Sequence, residues 1–384
     1  MNMVASVIVQ AEAQGPVLLP VPAQRAACWR DLAEAACEPN PFFHPAILLP
    51  ALDHLDPRRR VKVLEATDTE GRLIGLLPVV VRSRHGRYPV ANVANWVHGQ
   101  CFFGAPLLRR GHEVEAWAAL LVRLDAARWA NGFLHLEALA FDGPAAAALR
   151  QACAAQGRSL KLISTHQRAM LRSDLSADDY WQTHVRQKKR KELRRLASRL
   201  AELGSVTHRR FAEGGDVEQW ARDFLTLEGS GWKGAEGTAL ASGEATRAYF
   251  TEMMVNAAAA DMLAMLRIDL DDAPIAMLVN FQLGEGAYSY KIAFDERFSR
   301  FSPGVLVEID NLRAMLSDPA LAWMDSCAAP GHPMIDGLWA ERRTIGQFRV
   351  ALRGGGTREL RRRAVFAATG AAEHMVRAFR ERGR

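Results

Sequence analysis

The chain lacks the cysteine pattern of a disulfide-stabilised or zinc-binding protein. Its 384 residues hold five cysteines, an odd number, and no two of them are spaced as C-x-x-C. Such spacing fits neither a disulfide framework nor a structural zinc site. The pattern therefore predicts free thiols, no metal and a reducing compartment, and we expect a cytoplasmic protein.

Long hydrophobic runs are also missing. No run approaches the roughly 18 to 20 uninterrupted apolar residues that a membrane-spanning helix needs. The opening residues, MNMVASVIVQAEA, imitate the apolar core of a signal peptide, but no Lys or Arg precedes that core, so we predict no cleaved signal. With 49% hydrophobic residues, the chain can bury a large core, and its length favours two domains over one.

Positive charge is concentrated in two segments. Between Arg186 and Arg199 the chain holds eight Lys or Arg and one Glu, and residues 357–384 hold eight Arg and three Glu. Without these segments the formal net charge of +6 becomes −6. Clustered cations attract polyanions, so nucleic acid, an anionic membrane surface and a phosphorylated cofactor are the candidate partners.

Strand and helix signals alternate along both halves, which predicts an α/β fold. A hairpin with its turn at 68–71, a strand in NWVHGQCFFGAPLL and a helix over 113–129 are expected in the first half. The second half predicts helices over 216–228 and 243–259, a three-strand meander, a helix over 303–316, and strands over 321–326 and 345–352. We divide the chain into a first domain (1–173), a basic interdomain helix (174–204), a second domain (205–354) and a basic C-terminal helix (355–384).

The basic interdomain helix carries a narrow apolar stripe. Leu193, Leu196, Leu200 and Leu203 recur at helical spacing, which predicts that one face docks on the protein while the cations face solvent. This leaves peripheral attachment to the inner membrane face open, alongside a merely solvated charged helix.

The segment DERFSRFSPG has the features of an anion-binding helix start. Ser302 is placed as the N-cap, Pro303 at the first helical position, and Gly304 leaves backbone amides uncovered. Arg297 and Arg300 lie just before them. Free amides and the positive end of a helix dipole bind anions, so this segment could hold a pyrophosphate; an ordinary capped helix is the alternative.

Residues from about 206 to 352 resemble the GNAT acyltransferase superfamily, especially its tandem-domain FemAB-like and CelD-like branch. The resemblance rests on a helix pair, a meander ending in YSYKIAFDERFSRFSPG, a helix, the strand LAWMDSC, and DGLWAERRTIGQFRVAL. The first half carries the looser companion pattern NPFFHP, GRLIGLLPVV and GQCFFGAPLL. The implied fold is two tandem GNAT-like domains, each a mixed, mostly antiparallel sheet flanked by helices.

The resemblance implies direct acyl transfer from a thioester such as acyl-CoA to an amine. The pantetheine arm would lie between the strands at 287–295 and 321–326, and the pyrophosphate would sit on the residues Ser302, Pro303 and Gly304. This sequence departs from the usual Q/R-x-x-G-x-G/A loop because RFSRFSPG has one glycine. An acyl-carrier-protein thioester and an aminoacyl-tRNA therefore remain open as donors.

Acyl transfer to an amine needs a base and a donor for the developing oxyanion. Glu228 is the first candidate base because it falls on the apolar face of its helix, four residues after Phe224; a structural pair with Lys233 is the alternative. Asp325, at a strand end, is the second candidate. Lys291 lies among small residues on its strand and is the candidate contact for an acyl carbonyl or carboxylate.

Further residues are candidates for binding substrate. Trp232 and Lys233 follow a glycine-rich exit, and Tyr288 and Tyr290 share a strand face with Ile292 and Phe294 if that strand alternates regularly. His332 follows the strand that ends near Asp325. Since His332 and Asp336 have no third ligand nearby in sequence, we expect no metal site.

We predict an N-acyltransferase. Its acceptor could be an amino sugar or peptide of the envelope, or a long-chain base, which we favour by analogy with bacterial ceramide synthase, described as GNAT-like. The alternatives are a FemAB-like aminoacyltransferase, an envelope polysaccharide acyltransferase and a non-enzymatic nucleic-acid-binding protein. No helix-turn-helix or RNA-binding aromatic signature supports the last, so we expect no nucleic-acid partner.

Overall fold

The computed structural model describes residues 20–212 and 214–382, with side chains through residue 375. The apolar N-terminal stretch considered as a signal lies outside the described residues. The helices of eight or more residues are α1 (Ala23–Glu34), α2 (Pro45–His54), α3 (Glu113–Ala126), α4 (Pro144–Ala155), α5 (Ala177–His184), α6 (Gln187–Ala201), α7 (Val217–Ser230), α9 (Glu244–Ala259), α10 (Pro303–Leu316) and α11 (Thr357–Arg382), and α8 (Trp232–Ala235) is a single turn.

Twelve strands are found in the part of the chain that the structure describes. They are β1 (Lys62–Thr67), β2 (Leu73–Arg82), β3 (Asn92–Asn95), β4 (Leu107–Leu108), β5 (Phe133–Ala140), β6 (Leu160–Leu171), β7 (Val206–Arg210), β8 (Leu263–Leu270), β9 (Ala273–Leu283), β10 (Gly286–Phe294), β11 (Trp323–Asp325) and β12 (Glu341–Ala351). The predicted α/β class, with mostly antiparallel strands flanked by helices, is confirmed.

Contacts divide the chain into two compact units. The first contains Met1–Pro45, Arg58–His166 and Thr344–Arg384, and the second contains Ala46–Pro57 and Gln167–Arg343. The expected interdomain helix corresponds to α5 and α6, which belong to the second unit. Residues 344–354, which the sequence assigned to the second domain, belong to the first unit.

The first unit is built on strands in the order β1, β2, β3, β5 and β12. Neighbours are antiparallel except β3 and β5, which are parallel. The predicted hairpin of β1 and β2 is confirmed, and helix α3 ends at residue 126. The expected strand in NWVHGQCFFGAPLL is mostly wrong: only the ends of that region form strands β3 and β4, and the rest is an extended loop.

The C-terminal arginines are partly structural in the first unit. Arg362 is buried and donates to the backbone carbonyls of Asp125, at 3.2 Å, and of Ala130. Arg358 also donates to the carbonyl of Ala130, at 3.3 Å. These guanidinium groups satisfy carbonyls at and just after the end of α3, where a helix leaves acceptors without intrahelical donors. These two arginines are therefore not available to a polyanion, the class of partner that the charge of this segment suggested.

The second unit is built on strands in the order β11, β10, β9, β8 and β7, with the last residues of β6 pairing to β11. Only β10 and β11 are parallel. One face of the sheet is covered by α10 and by α6, whose Leu193, Leu196 and Leu200 enter the same hydrophobic cluster. The predicted leucine stripe is confirmed for these three residues, but Leu203 is exposed.

None of the helices in the described ranges has an apolar stretch long enough to cross a membrane.

Candidate active site

A register shift in β10 determines which side chains meet in the second unit. Pairing with β9 runs Ser289 to Asn280 and then Lys291 to Val279, so the alternation is interrupted at Tyr290. Ala287 lies in the buried cluster with α10, and Ile292 and Phe294 are partly buried and pack against that cluster. The predicted regular alternation over this strand is therefore wrong, and the shift turns Lys291 to the face that carries α7.

Three of the predicted site residues come together on that face. The carboxylate Oε1 of Glu228, on α7, lies 3.3 Å from the Lys233 Nζ and 3.6 Å from the Lys291 Nζ. Its second oxygen, Oε2, accepts the backbone N–H of Leu240 at 2.8 Å. Glu228 is thus anchored through one oxygen and presents the other to two ammonium groups.

The three charged side chains of this cluster differ in how exposed they are to solvent. The side chains of Glu228, Lys291 and Lys233 are 1%, 13% and 28% exposed. Burial lowers the pKa of Lys291; the charge of Glu228 opposes this shift, and that of Lys233 adds to it. A lysine with a lowered pKa beside a buried carboxylate is able to donate or accept a proton more readily than an exposed one.

The aromatic candidates do not share one surface. Trp232 is 54% exposed, whereas Tyr288 and Tyr290 are buried. The Tyr288 ring packs edge-on against Trp323 at 5.4 Å, and the Tyr290 ring packs against Phe281 at 5.1 Å. The two tyrosines therefore contribute to the core of the sheet and share no surface with Trp232 on which a substrate could bind.

Asp325 is held in a buried ion cluster. Its carboxylate lies 2.7 Å from the Arg168 guanidinium and 3.0 Å from that of Arg343, and it accepts the Cys327 N–H at 2.9 Å. Burial alone would raise the pKa of Asp325, but the two arginines hold it below its ordinary value. A fully buried, paired carboxylate favours a structural role over the base expected from the sequence.

The start of α10 offers fewer amides than expected. The Ser302 N–H donates to the Ser299 carbonyl at 2.9 Å, and Pro303 has no N–H. Gly304 is buried, and a Cβ there would lie 3.0 Å from the Phe294 ring. Ser302 is the N-cap residue, with a left-handed backbone and no side-chain cap. This helix start does not fit the pyrophosphate of CoA.

The remaining sequence candidates lie around this helix start and in the following loop. Arg297 pairs with Asp295 at 2.6 Å, and the guanidinium of Arg300 lies 4.7 Å from the Phe301 ring centroid. Both arginines are exposed, so they can still meet an anion. His332 is half-buried in the loop before β12, and its Nδ1 has no hydrogen-bond partner.

A second buried polar group was missed by the sequence analysis. Glu308 of α10 accepts from Asn311 at 3.0 Å, and Asn311 accepts from Asn280 of β9 at 2.7 Å. Burial raises the pKa of Glu308 to about 8. Asn280 and Asn311 line a cavity of about 430 Å³ in the second unit. Polar residues three apart on an otherwise apolar helix face were the available signal.

Strands β10 and β11 are hydrogen-bonded over a short distance only. Their parallel pairing covers three residue pairs, from Gly286 with Trp323 to Tyr288 with Asp325, although β10 continues to Phe294. A Cβ on Gly286 would meet the Trp323 ring at 2.3 Å, so a glycine is required at this close approach.

Within the described residues, no group of three His, Cys, Asp or Glu is placed to hold a metal ion.

These features define a class, an α/β protein with a short parallel strand pair, a partly buried lysine and a buried glutamate. Residues 187–330 match the family model of the acetyltransferase (GNAT) domain. This match confirms, for that part of the chain, the resemblance to the GNAT superfamily found in the sequence, and it supports an enzyme of the acyltransferase type. GNAT domains use acyl-CoA as co-substrate.

Solved structures are similar over most of the chain at low identity. The C-terminal domain of a protein that bears the name lysylphosphatidylglycerol synthetase, from Agrobacterium fabrum, is 11% identical, with a TM-score of 0.50 over 88% of this chain and 95% of that one. A conserved protein from Bacteroides thetaiotaomicron is 8% identical, with a TM-score of 0.54 over 88% and 100%. FemX is 10% identical, with a TM-score of 0.48 over 91% and 96%. No curated protein sequence matches.

We predict that Asp325→Asn lowers the free energy of unfolding by about 3 to 5 kcal/mol, because the buried Arg168 and the partly buried Arg343 lose the negative charge between them. Urea denaturation at pH 7 measures the change. The folded pKa of Asp325 lies below its unfolded value, so its contribution is complete above the unfolded pKa and is lost as the pH falls through the folded pKa. The difference from wild type should therefore shrink below about pH 4.

Asp174→Asn, at an exposed position in the same unit, is the matched control and should change stability by less than about 0.5 kcal/mol. An Asp325→Asn protein as stable as this control would contradict the structural role.

Proposed function

We propose that the protein is an N-acyltransferase that moves an acyl group from a pantetheine thioester to an amine. The observation that carries the proposal is the Glu228, Lys233 and Lys291 cluster beside β10, which runs on past the end of the short strand β11. An extended arm is proposed to lie beside that part of β10, and the GNAT match supports direct transfer without a covalent enzyme intermediate.

Glu228 is proposed to bind and deprotonate the acceptor. Its Oε2 is committed to the Leu240 amide, whereas Oε1 faces Lys233 at a long 3.3 Å. An acceptor ammonium can replace the more exposed Lys233 at this oxygen and pass its proton to the carboxylate. Lys233 thus occupies the position that the substrate ammonium would take, and the neutral amine is then able to attack the thioester carbonyl.

Lys291 is proposed to stabilise the oxyanion that forms during attack. Its ammonium is partly buried on the face of β10 that carries α7, the helix of Glu228. There water screens charge less than in solution. A donor fixed before the reaction stabilises developing negative charge at little reorganisation cost. When the tetrahedral intermediate collapses, the C–S bond breaks and the thiolate leaves with a proton from the site.

The donor is proposed to be recognised mainly through pantetheine. The α10 helix start does not fit a pyrophosphate, while Arg297 and Arg300 remain exposed for a single phosphate. Acyl-CoA and an acyl-carrier-protein thioester share the pantetheine arm.

A FemAB-like aminoacyltransferase is the second candidate, because the same poor pyrophosphate fit and the cations of α6 suit an aminoacyl-tRNA. The long-chain base stays the least supported acceptor, since Tyr288 and Tyr290 pack into the core.

We predict that acyl-CoA and phosphate-free acyl-pantetheine both support amine-dependent thiol release, and that both raise the melting temperature. Stabilisation at 100 times the Kd is about 2.7 kcal/mol. Thiol release is followed with a thiol-reactive dye over a panel of amino-sugar, peptide and long-chain amines. Transfer that occurs only from aminoacyl-tRNA would establish the second candidate instead, and no transfer from any of these donors would refute both.

We predict that Glu228→Gln and Lys291→Met each lower kcat/KM by at least about 100-fold, because proton transfer and oxyanion stabilisation are lost. Lys233→Met should change kcat/KM by less than about tenfold and reduce the KM for the amine, since a competing ammonium is removed. Steady-state thiol release measures all three.

Lys161→Met, which removes an exposed lysine of the first unit, is the control and should behave as wild type. Glu228→Gln retaining more than about a tenth of the rate, or roughly 1.4 kcal/mol in barrier, would remove Glu228 as the base.

Helix α6 is proposed to place the enzyme on an anionic membrane surface. Lys191, Arg194, Arg195 and Arg199 are exposed opposite the docked leucines. Each cation near such a surface contributes roughly 1 kcal/mol. We predict flotation with phosphatidylglycerol vesicles at low salt but not with phosphatidylcholine vesicles, and at least about a 100-fold loss when these four residues are changed to Glu.

The matched control reverses four exposed cations of the first unit and should still float. These residues are Arg72, Arg110, Arg128 and Lys161. Equal loss in both variants, or flotation that does not fall with salt, would contradict a surface formed by α6.

A further inference from the structure

The first unit contains a basic cavity that the acyl-transfer proposal does not use. Its volume is about 490 Å³. It is formed by the turn between β2 and β3, by β5, by the start of β6, by β12 and by α11. The lining residues that carry the argument are Arg82, Arg84, Arg87, His135, Glu137 and Glu373.

Both carboxylates of the cavity are already neutralised. Glu137 accepts two hydrogen bonds from Arg82, at 2.9 and 2.8 Å, and lies 3.2 Å from His135. Burial alone would raise the pKa of Glu137, but hydrogen bonds from His135 and Arg82 lower it to about 2. Glu373 pairs with His85 at 2.8 Å and with the buried Arg349 at 3.0 Å.

Positive charge is left over at the rim. Arg84 and Arg87 line the cavity, are exposed, and have no carboxylate within ion-pair distance among the described residues. Arg84 donates to the Arg87 carbonyl at 3.2 Å, which holds one guanidinium beside the turn. Two guanidinium groups therefore remain for a ligand after every carboxylate in the cavity has been counted.

A buried polar atom of the cavity also has no partner. His135 is 3% exposed and lines the cavity, yet its Nδ1 makes no hydrogen bond. Because buried polar groups in folded proteins are almost always satisfied, such an atom marks a place for a polar ligand or ordered water.

We propose that this cavity binds the phosphate monoester group of a small molecule. A phosphate monoester carries close to two negative charges at neutral pH, which matches the two unpaired arginines, and its oxygens suit the forked donors of guanidinium groups. A carboxylate would leave one arginine without a counter-charge. Tyr88 and Ile163 supply apolar wall for the rest of the molecule. The site lies wholly in the first unit and is independent of the thioester donor.

Calorimetric titration of the full chain with inorganic phosphate tests the proposal, with acetate and chloride at equal ionic strength as references. Phosphate should bind at least tenfold more tightly than acetate. Arg84→Gln with Arg87→Gln should weaken phosphate binding at least tenfold, whereas the matched double variant, Arg72→Gln with Arg128→Gln, removes two exposed arginines outside the cavity and should bind as wild type. Ligand-free melting temperatures confirm that each variant folds.

A substitution that introduces a negative charge into the cavity gives a second, independent test. Ser164 lines the cavity and is exposed, while Thr165 points to the other face of β6. Ser164→Asp should abolish phosphate binding and Thr165→Asp should not. The proposal is overturned if phosphate binds no better than acetate, if the Arg84/Arg87 variant binds as wild type, or if both aspartate insertions have the same effect.

Discussion

The candidate active site depends on the interrupted pairing of β10 with β9. With regular alternation Lys291 would share a face with Ala287 and enter the apolar cluster against α10, where an ammonium would be costly to bury. The shift at Tyr290 places it instead within 3.6 Å of Glu228. A buried carboxylate requires compensation, and Lys291, Lys233 and the Leu240 amide supply it together. The irregular backbone and the ion cluster therefore require each other.

Much of the second unit could be predicted from the sequence, because its elements are long and their signals are local. Ser302 and Pro303 mark the start of α10, and the meander is bounded by turn residues at 271–272 and 284–286, so these elements match closely. The register shift could not be predicted, because nothing in AYSYKIAF distinguishes a regular strand from a shifted one. The pairing with β9 determines which of the two forms the strand adopts. Asp325 likewise shows no sign in sequence of Arg168, a partner 157 residues away.

In the first unit, NWVHGQCFFGAPLL fails as a strand for a related reason. The Asn95 amide donates to the carbonyls of Gly104 and Glu137, both at 2.8 Å, and its oxygen accepts the Glu137 N–H at 2.8 Å. A side chain thus takes the place of part of a strand ladder and holds the chain as a loop. Side chains that hydrogen-bond to backbone groups compete directly with sheet formation. A strand prediction from the β propensity of single residues does not take that competition into account.

The two arginine-rich segments show why charge counts alone do not define a surface. On α6 the apolar stripe is narrow, so the helix docks through leucines and its cations stay in water. On α11 Arg362 is buried and Arg358 is half-buried, and their guanidinium groups donate to carbonyls at and just after the end of α3 that have no intrahelical donor. Guanidinium groups have several donors and suit this role, which an ammonium fills less well. A similar excess of positive charge is therefore left exposed to solvent on one helix and contributes in part to the cohesion of the fold on the other.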